Sequence, residues 1–142
     1  MNLTKNFTLE ELTGSATARR LGIDNTPNAK QMEYISKLAQ ELQTIRDAFG
    51  RSIVVNSGFR CEKLNKAVGG AGNSDHKYGC AVDIESVGDK YNKQLWNVIV
   101  KLADEGKIHL RQIIDEYNLS WIHISINNEY NETQFNRKIY IK

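Results

Sequence analysis

The sequence predicts an α+β fold, an antiparallel sheet flanked by helices. Three observations carry that expectation. Apolar residues recur at three- and four-residue steps in two stretches, 35–49 and 95–102, the pattern of amphipathic helices packed on a core. Short β-branched or alternating runs lie at 52–57, 81–86, 110–117 and 121–126. The last two are separated only by Asn118-Leu119-Ser120, the length of connection that joins neighbouring antiparallel strands. An initial helical half followed by mostly hairpin-connected strands is the order of an α+β domain.

Element by element, Thr8-Leu9-Glu10-Glu11 has the form of a capping box and opens a short helix. Thr26-Pro27 is a second start signal, an N-cap threonine with proline at the first helical position. From there Ile35, Leu38, Leu42, Ile45 and Phe49 form one buried stripe that stops at Gly50. Residues 52–57 read as a strand, and a short helical turn is expected at Glu62–Ala67. Gly69-Gly70-Ala71-Gly72-Asn73 is a loop by composition; it lacks the GxxxxGK[ST] pattern of a phosphate cradle. A second strand covers Ala81–Ser86. Asp89 is placed as the cap of a second long helix, with Leu95, Val98, Ile99 and Leu102 buried and an end near Gly106. The hairpin follows, and residues 138–141 add an edge strand.

Composition bounds the rest. At 142 residues the chain is read as one domain, 1–142, long enough for a proper core. Its 40% hydrophobic and 25% charged residues are ordinary for a globular protein. A net charge of +2 without any Lys/Arg run argues against nucleic acid as a partner and permits approach to an anionic surface. Cys61 and Cys80 make no CxxC pair and no disulfide framework, so both are read as free, buried or half-buried thiols. The start of the chain lacks the basic-then-apolar pattern of a signal peptide, and no apolar run approaches a membrane span. The expectation is a monomer made in the cytoplasm, without a membrane span.

The chemistry concentrates in Ser74-Asp75-His76-Lys77-Tyr78-Gly79-Cys80-Ala81-Val82-Asp83 and, further on, Trp121-Ile122-His123-Ile124-Ser125. Asp83 sits between Val82 and Ile84 in an apolar strand, where a carboxylate is costly unless paired or metal-bound. By itself it could cap a turn or pair with Arg60. His123 shares a strand face with Trp121 and Ser125. His109, at a helix-to-strand junction, is read as surface. Two imidazoles and one carboxylate suit zinc and leave one tetrahedral position open, as a hydrolytic zinc requires. The same donors suit other first-row ions.

Taken together, Ser57-Gly58-Phe59-Arg60, Leu64-Asn65-Lys66-Ala67-Val68-Gly69-Gly70, SxHxxGxAxD over 74–83, Gln112-Ile113-Ile114-x-Glu116 and WxHxS over 121–125 resemble the M15 family of zinc D-Ala-D-Ala peptidases. The nearest branch is the carboxypeptidase-like one of bacteriophages and bacteria. The resemblance implies a Hedgehog/D-Ala-D-Ala peptidase-like fold with one Zn2+ on the sheet face, held by His76, Asp83 and His123. It implies that Arg60 grips the substrate carboxylate or steadies the polarised carbonyl, and that Ser74 bonds substrate or holds its loop. Some members place the general base three residues before the last histidine; here that position is Ser120, which cannot act as a base at neutral pH. The role falls to Glu116, with Asp115 as its rival: an even-numbered hairpin loop turns Glu116 to the His123 face, an odd-numbered one turns Asp115. Tyr78 and Trp121 either wall the pocket or pack in the core. The implied substrate is a peptidoglycan stem peptide, cut by a carboxypeptidase or an endopeptidase that reaches the cell wall after release in a phage or prophage setting. Two other classes remain open, a non-catalytic zinc-containing binding module and a phage wall-anchoring structural protein.

Overall fold

The computed structural model describes Met1–Lys142. Its elements, in order, are α1 (Leu9–Thr13), α2 (Ala16–Leu21), α3 (Ala29–Phe49), β1 (Ile53–Ser57), α4 (Glu62–Ala67), a 3-10 turn (Asp75–Tyr78), β2 (Ala81–Ser86), a second 3-10 turn (Val87–Asp89), α5 (Asn92–Asp104), β3 (Gln112–Glu116), β4 (Trp121–Ser125) and β5 (Arg137–Ile141). The strands form one sheet in the order β1-β2-β4-β3-β5.

The capping box at Thr8 is present, with the Thr8 side chain and Glu11 satisfying each other's backbone N–H groups. The start of α3 differs from expectation. Its N-cap is Asn28, in a capping box with Gln31, and Thr26-Pro27 lies just ahead of it. Thr26 instead bonds back to Asp24, through its N–H (3.0 Å) and hydroxyl (2.7 Å). The predicted stripe of α3 is buried throughout, and Gly50 ends the helix in the left-handed conformation at φ 73°. Asp89 does not cap α5: it sits at φ 54° in the second 3-10 turn. Asn92 anchors that junction, its Oδ1 accepting from Ser86 N at 2.8 Å. The short helix α2 went unpredicted, being too short for a periodic stripe.

The sheet is mixed, which corrects the antiparallel expectation. β1, β2, β4 and β3 pair antiparallel, but β5 runs parallel to β3, with Gln112 opposite Arg137 and Glu116 opposite Ile141. The reason lies in residues 126–136. They return to the end of the sheet where β3 begins and step over that strand, so the next strand must run the same way as β3. Asn136 fixes the landing: its N–H donates to Leu110 O and its Oδ1 accepts from Leu110 N, both at 2.7 Å.

Alternation divides the sheet's two faces. Val82, Ile84, Ile113, Ile122 and Ile124 are buried in one core with the stripes of α3 and α5. The opposite face carries Asp83, Gln112, Glu116, Trp121, His123 and Ser125, brought side by side by the pairings Asp83 with His123, Gln112 with Ser125 and Glu116 with Trp121. One sheet therefore packs the core with one face and presents polar chemistry on the other. No helix is long and apolar enough to cross a membrane, and both cysteines are free.

Candidate metal centre

The centre is built from two loops and two strands. The loop after β1 is pressed onto the end of α1: Phe59 N donates to Leu12 O at 2.7 Å, and a Cβ at Gly58 would overlap that same carbonyl. Only glycine allows this approach. The loop then holds His76 from two sides. Arg60 N donates to His76 O at 3.0 Å, and His76 Nδ1 lies 2.8 Å from Gly58 O. The 3-10 turn supplies the rest: Ser74 Oγ accepts from His76 N at 3.2 Å. Gly79 turns the chain into β2 at φ 80°, its back so close to Gln31 O that a Cβ would lie 2.8 Å away. The spacing of the SxHxxGxAxD motif is thus one 3-10 turn, one left-handed glycine and the first residues of a strand.

His76, Asp83 and His123 come together as one group, with a donor atom from each lying within 4.8 Å of the others. Asp83 Oδ1 lies 2.8 Å from His123 Nδ1 and 3.5 Å from His76 Nε2. Ligands at zinc distances of about 2.0–2.1 Å in a tetrahedron stand roughly 3.3–3.4 Å apart; the His76–Asp83 separation matches that, while the His123–Asp83 contact is a hydrogen bond that would open by about 0.5 Å around such an ion. The donor chemistry fits as well. Burial pushes the His76 imidazole below its ordinary value, against the opposing pull of Asp83, and favours the neutral ring. A neutral ring that donates from Nδ1 to Gly58 O presents the lone pair of Nε2 to the Asp83 carboxylate. Two acceptors facing one another call for a cation between them, and the carbonyl behind the ring is the partner that metal-bound histidines use. Burial alone would raise Asp83, but its interactions, led by the hydrogen bond from His123, outweigh that and hold the carboxyl well below the usual range. Asp83 is therefore anionic and makes no ion pair with Arg60.

Arg60 stands beside the group, lining a cavity of about 470 Å³ with Ser57, Gly58 and Phe59. Its Nε is buried without a hydrogen-bond partner. Burial lowers its pKa and the Asp83 charge raises it; a guanidinium stays cationic in either case. The hairpin loop between β3 and β4 has four residues, Tyr117 to Ser120, so the register pairs Glu116 with Trp121 and turns Glu116 to the His123 face. Burial raises the Glu116 carboxyl above its ordinary value, with His123 lowering it and Asp83 raising it further. Asp115 points the other way and accepts from Leu119 N at 2.7 Å, tying the turn in which Tyr117, Asn118 and Leu119 all have positive φ. Ser120 is tied to the same turn, its hydroxyl donating to Tyr117 O at 2.8 Å. Tyr78 stacks on Tyr130 with ring centroids 4.0 Å apart, and Trp121 packs edge-on against Tyr117 at 5.1 Å. His109 is exposed.

Sequence reasoning missed Asn25. Its amide donates to Thr13 O (2.8 Å) and Phe59 O (2.9 Å), and its Oδ1 accepts from Cys61 N (2.7 Å). It clamps the loop that carries Arg60, across a chain separation that leaves no local signal. Asp75 was also missed. It lies inside the motif, yet its buried carboxylate turns away from the centre to Arg111, Asn128 and Asn131.

Comparison with known proteins bears on the whole arrangement. The zinc D-Ala-D-Ala carboxypeptidase of Streptomyces albus G is 51% identical over 45 residues, a stretch that makes up 31% of this chain and only 18% of that protein. The family model of peptidase M15 matches residues 5–125, which include every element from α1 to β4. The chain belongs to the peptidase M15 family of zinc metallopeptidases.

Proposed function

We propose that this chain is a zinc-dependent hydrolase of a peptide bond in the peptidoglycan stem peptide, with His76, Asp83 and His123 as the metal ligands. One observation carries the reading: two imidazoles and one carboxylate converge on the sheet face, with a half-buried carboxylate on one side and an unpartnered guanidinium on the other. Zinc bound by these three residues would supply Lewis acidity at an open position and make water a usable nucleophile near neutral pH.

The protein's own groups do the remainder. The Glu116 carboxylate takes a proton from the attacking water and returns it to the leaving amine, worth a factor of about 10² to 10⁴ when well placed. Its partial burial suits both halves of that task, because a raised pKa makes the acid form accessible after the first transfer. Arg60 offers its N–H groups to the substrate carboxylate or to the carbonyl oxygen as charge develops there. Ser74 lines the cleft and fixes the His76 backbone. The activity named for the Streptomyces albus G relative supports a D-alanyl peptide as substrate; a wall peptide also suits the mild positive charge.

The test is metal content by elemental analysis, paired with mass spectrometry of digested purified peptidoglycan. Zinc-loaded protein is expected to release stem-peptide fragments, and Glu116→Gln to keep the metal while losing at least about 10²-fold in rate. Binding of wall peptide with no cleavage by the parent protein would favour the non-catalytic binding module or wall-anchoring protein instead.

A further inference from the structure

Beside His123 lies a second cavity, of about 290 Å³, with Ser74, Asp75, Arg111, Gln112 and Asn131 among its walls. It shares no lining residue with the cavity of Arg60. Its character is set by one buried ion pair. The Asp75 side chain is 5% exposed and accepts from Arg111 Nη1 at 2.9 Å, Asn128 Nδ2 at 2.9 Å and Asn131 Nδ2 at 2.6 Å. Arg111, 12% exposed, also donates from Nε to Glu132 O at 2.7 Å. A guanidinium has five N–H groups, and these bonds engage one at Nε and one at Nη1. The others have no acceptor in the protein.

An arginine held at Nε and at Nη1 keeps its Nη2 N–H groups as fixed, unengaged donors for carboxylate oxygens. Its side chain is already ordered, so little rotamer entropy is lost when a ligand arrives. Asp75 offsets its charge at rest, so the cavity selects by hydrogen-bond geometry rather than by drawing in any anion. The clamp residues Asn128, Asn131 and Glu132 come from the segment beyond the part of the chain that matches the family model.

We propose that Arg111 determines specificity: the cavity receives a carboxylate carried by the substrate peptide beside the bond that is cut, and the free N–H groups of Arg111 grip it. This rests on the peptidase reading above. The probes are a stem pentapeptide and its C-terminal carboxamide, and a matching pair altered at the α-carboxyl of the acidic residue. With zinc-loaded parent protein, one carboxylate form should be cleaved with a kcat/KM roughly tenfold or more above its amide. In Arg111→Met, KM for that carboxylate peptide should rise roughly tenfold more than KM for its amide, and Arg111→Lys should restore part of the difference. A purely structural ion pair would move both members of a pair equally, and that result overturns the proposal, as does a parent enzyme indifferent to both pairs.

A binding measurement separates the two readings. The side-chain amide NMR signals of Gln112 and Asn131 should shift when the carboxylate peptide, and not its amide, is added to zinc-loaded Glu116→Gln protein. Shifts without cleavage by the parent would sink the peptidase reading and support the pocket. Cleavage with neither shifts nor preference would sink the pocket alone.

Discussion

Replacing Gly58 by alanine should damage the metal centre through a residue that touches no metal. The new Cβ would overlap Leu12 O and lie 2.8 Å from the Leu12 carbonyl carbon and 3.1 Å from its Cα. All three atoms are backbone at the end of α1, so no side chain can swing aside. Relaxing the carbon contact to an ordinary 3.5 Å or more requires the loop to move by roughly 0.7 Å. The Gly58 carbonyl moves with it, and a His76 Nδ1 contact of 2.8 Å stretches toward the limit of a hydrogen bond. Overpacking of this kind costs about 1–3 kcal/mol of stability. Loss of the carbonyl behind a metal-bound histidine lowers metal affinity by about 10- to 100-fold. Chelator competition for zinc and denaturant unfolding of the metal-free protein measure the two effects separately. Gly72→Ala, whose Cβ meets nothing within 4 Å, is the control. If Gly58→Ala holds zinc as tightly as the control, the argument that this carbonyl orients His76 is wrong.

The other predictions follow the same geometry. Asn25→Ala removes three hydrogen bonds, two to the Arg60 loop and one to the end of α1, and should lower unfolding free energy by about 2–3 kcal/mol; a loss under about 0.5 kcal/mol would mean the clamp is solvated rather than structural. Asp115→Ala should cost about 1 kcal/mol by freeing Leu119 N in the hairpin turn, with zinc content and peptide hydrolysis retained. Hydrolysis lost as fully as in Glu116→Gln would mean the base has been misassigned. The acid limb of kcat/KM should also lie above the ordinary glutamate value of 4.5, because burial raises Glu116 and the base must be deprotonated. Activity then falls as pH drops through that raised value, and an acid limb that persists unchanged in Glu116→Gln would show that another group titrates.

Much of the site could be read from the chain because its parts are local. Ser74, His76, Gly79 and Asp83 lie within one turn and one strand start, and the spacing of the motif is the geometry of that turn. His123 was readable for a related reason: strand alternation fixes which face it occupies once its strand is known. The parallel β5 was not readable. Direction depends on where residues 126–136 land, and Asn136 decides that by bonding to Leu110. The capping errors at Thr26 and Asp89 have a common cause, since residues of cap type that stand near a helix start can serve an adjacent turn instead.

The sequence by itself determined the two long helical stripes, the places of all five strands, and the residue types that suit a zinc site, because periodicity and short motifs are properties of neighbouring residues. It left Glu116 and Asp115 as rivals, since a shift of one residue in a strand exchanges its faces. The tertiary structure decided between their positions through a four-residue hairpin loop. It also revealed the supports that no local pattern carries: Gly58 against Leu12, Asn25 across the Arg60 loop, and Arg111 held by Asp75 and the C-terminal segment. Those contacts join residues far apart in the chain, and only folding brings their donors and acceptors within bonding distance.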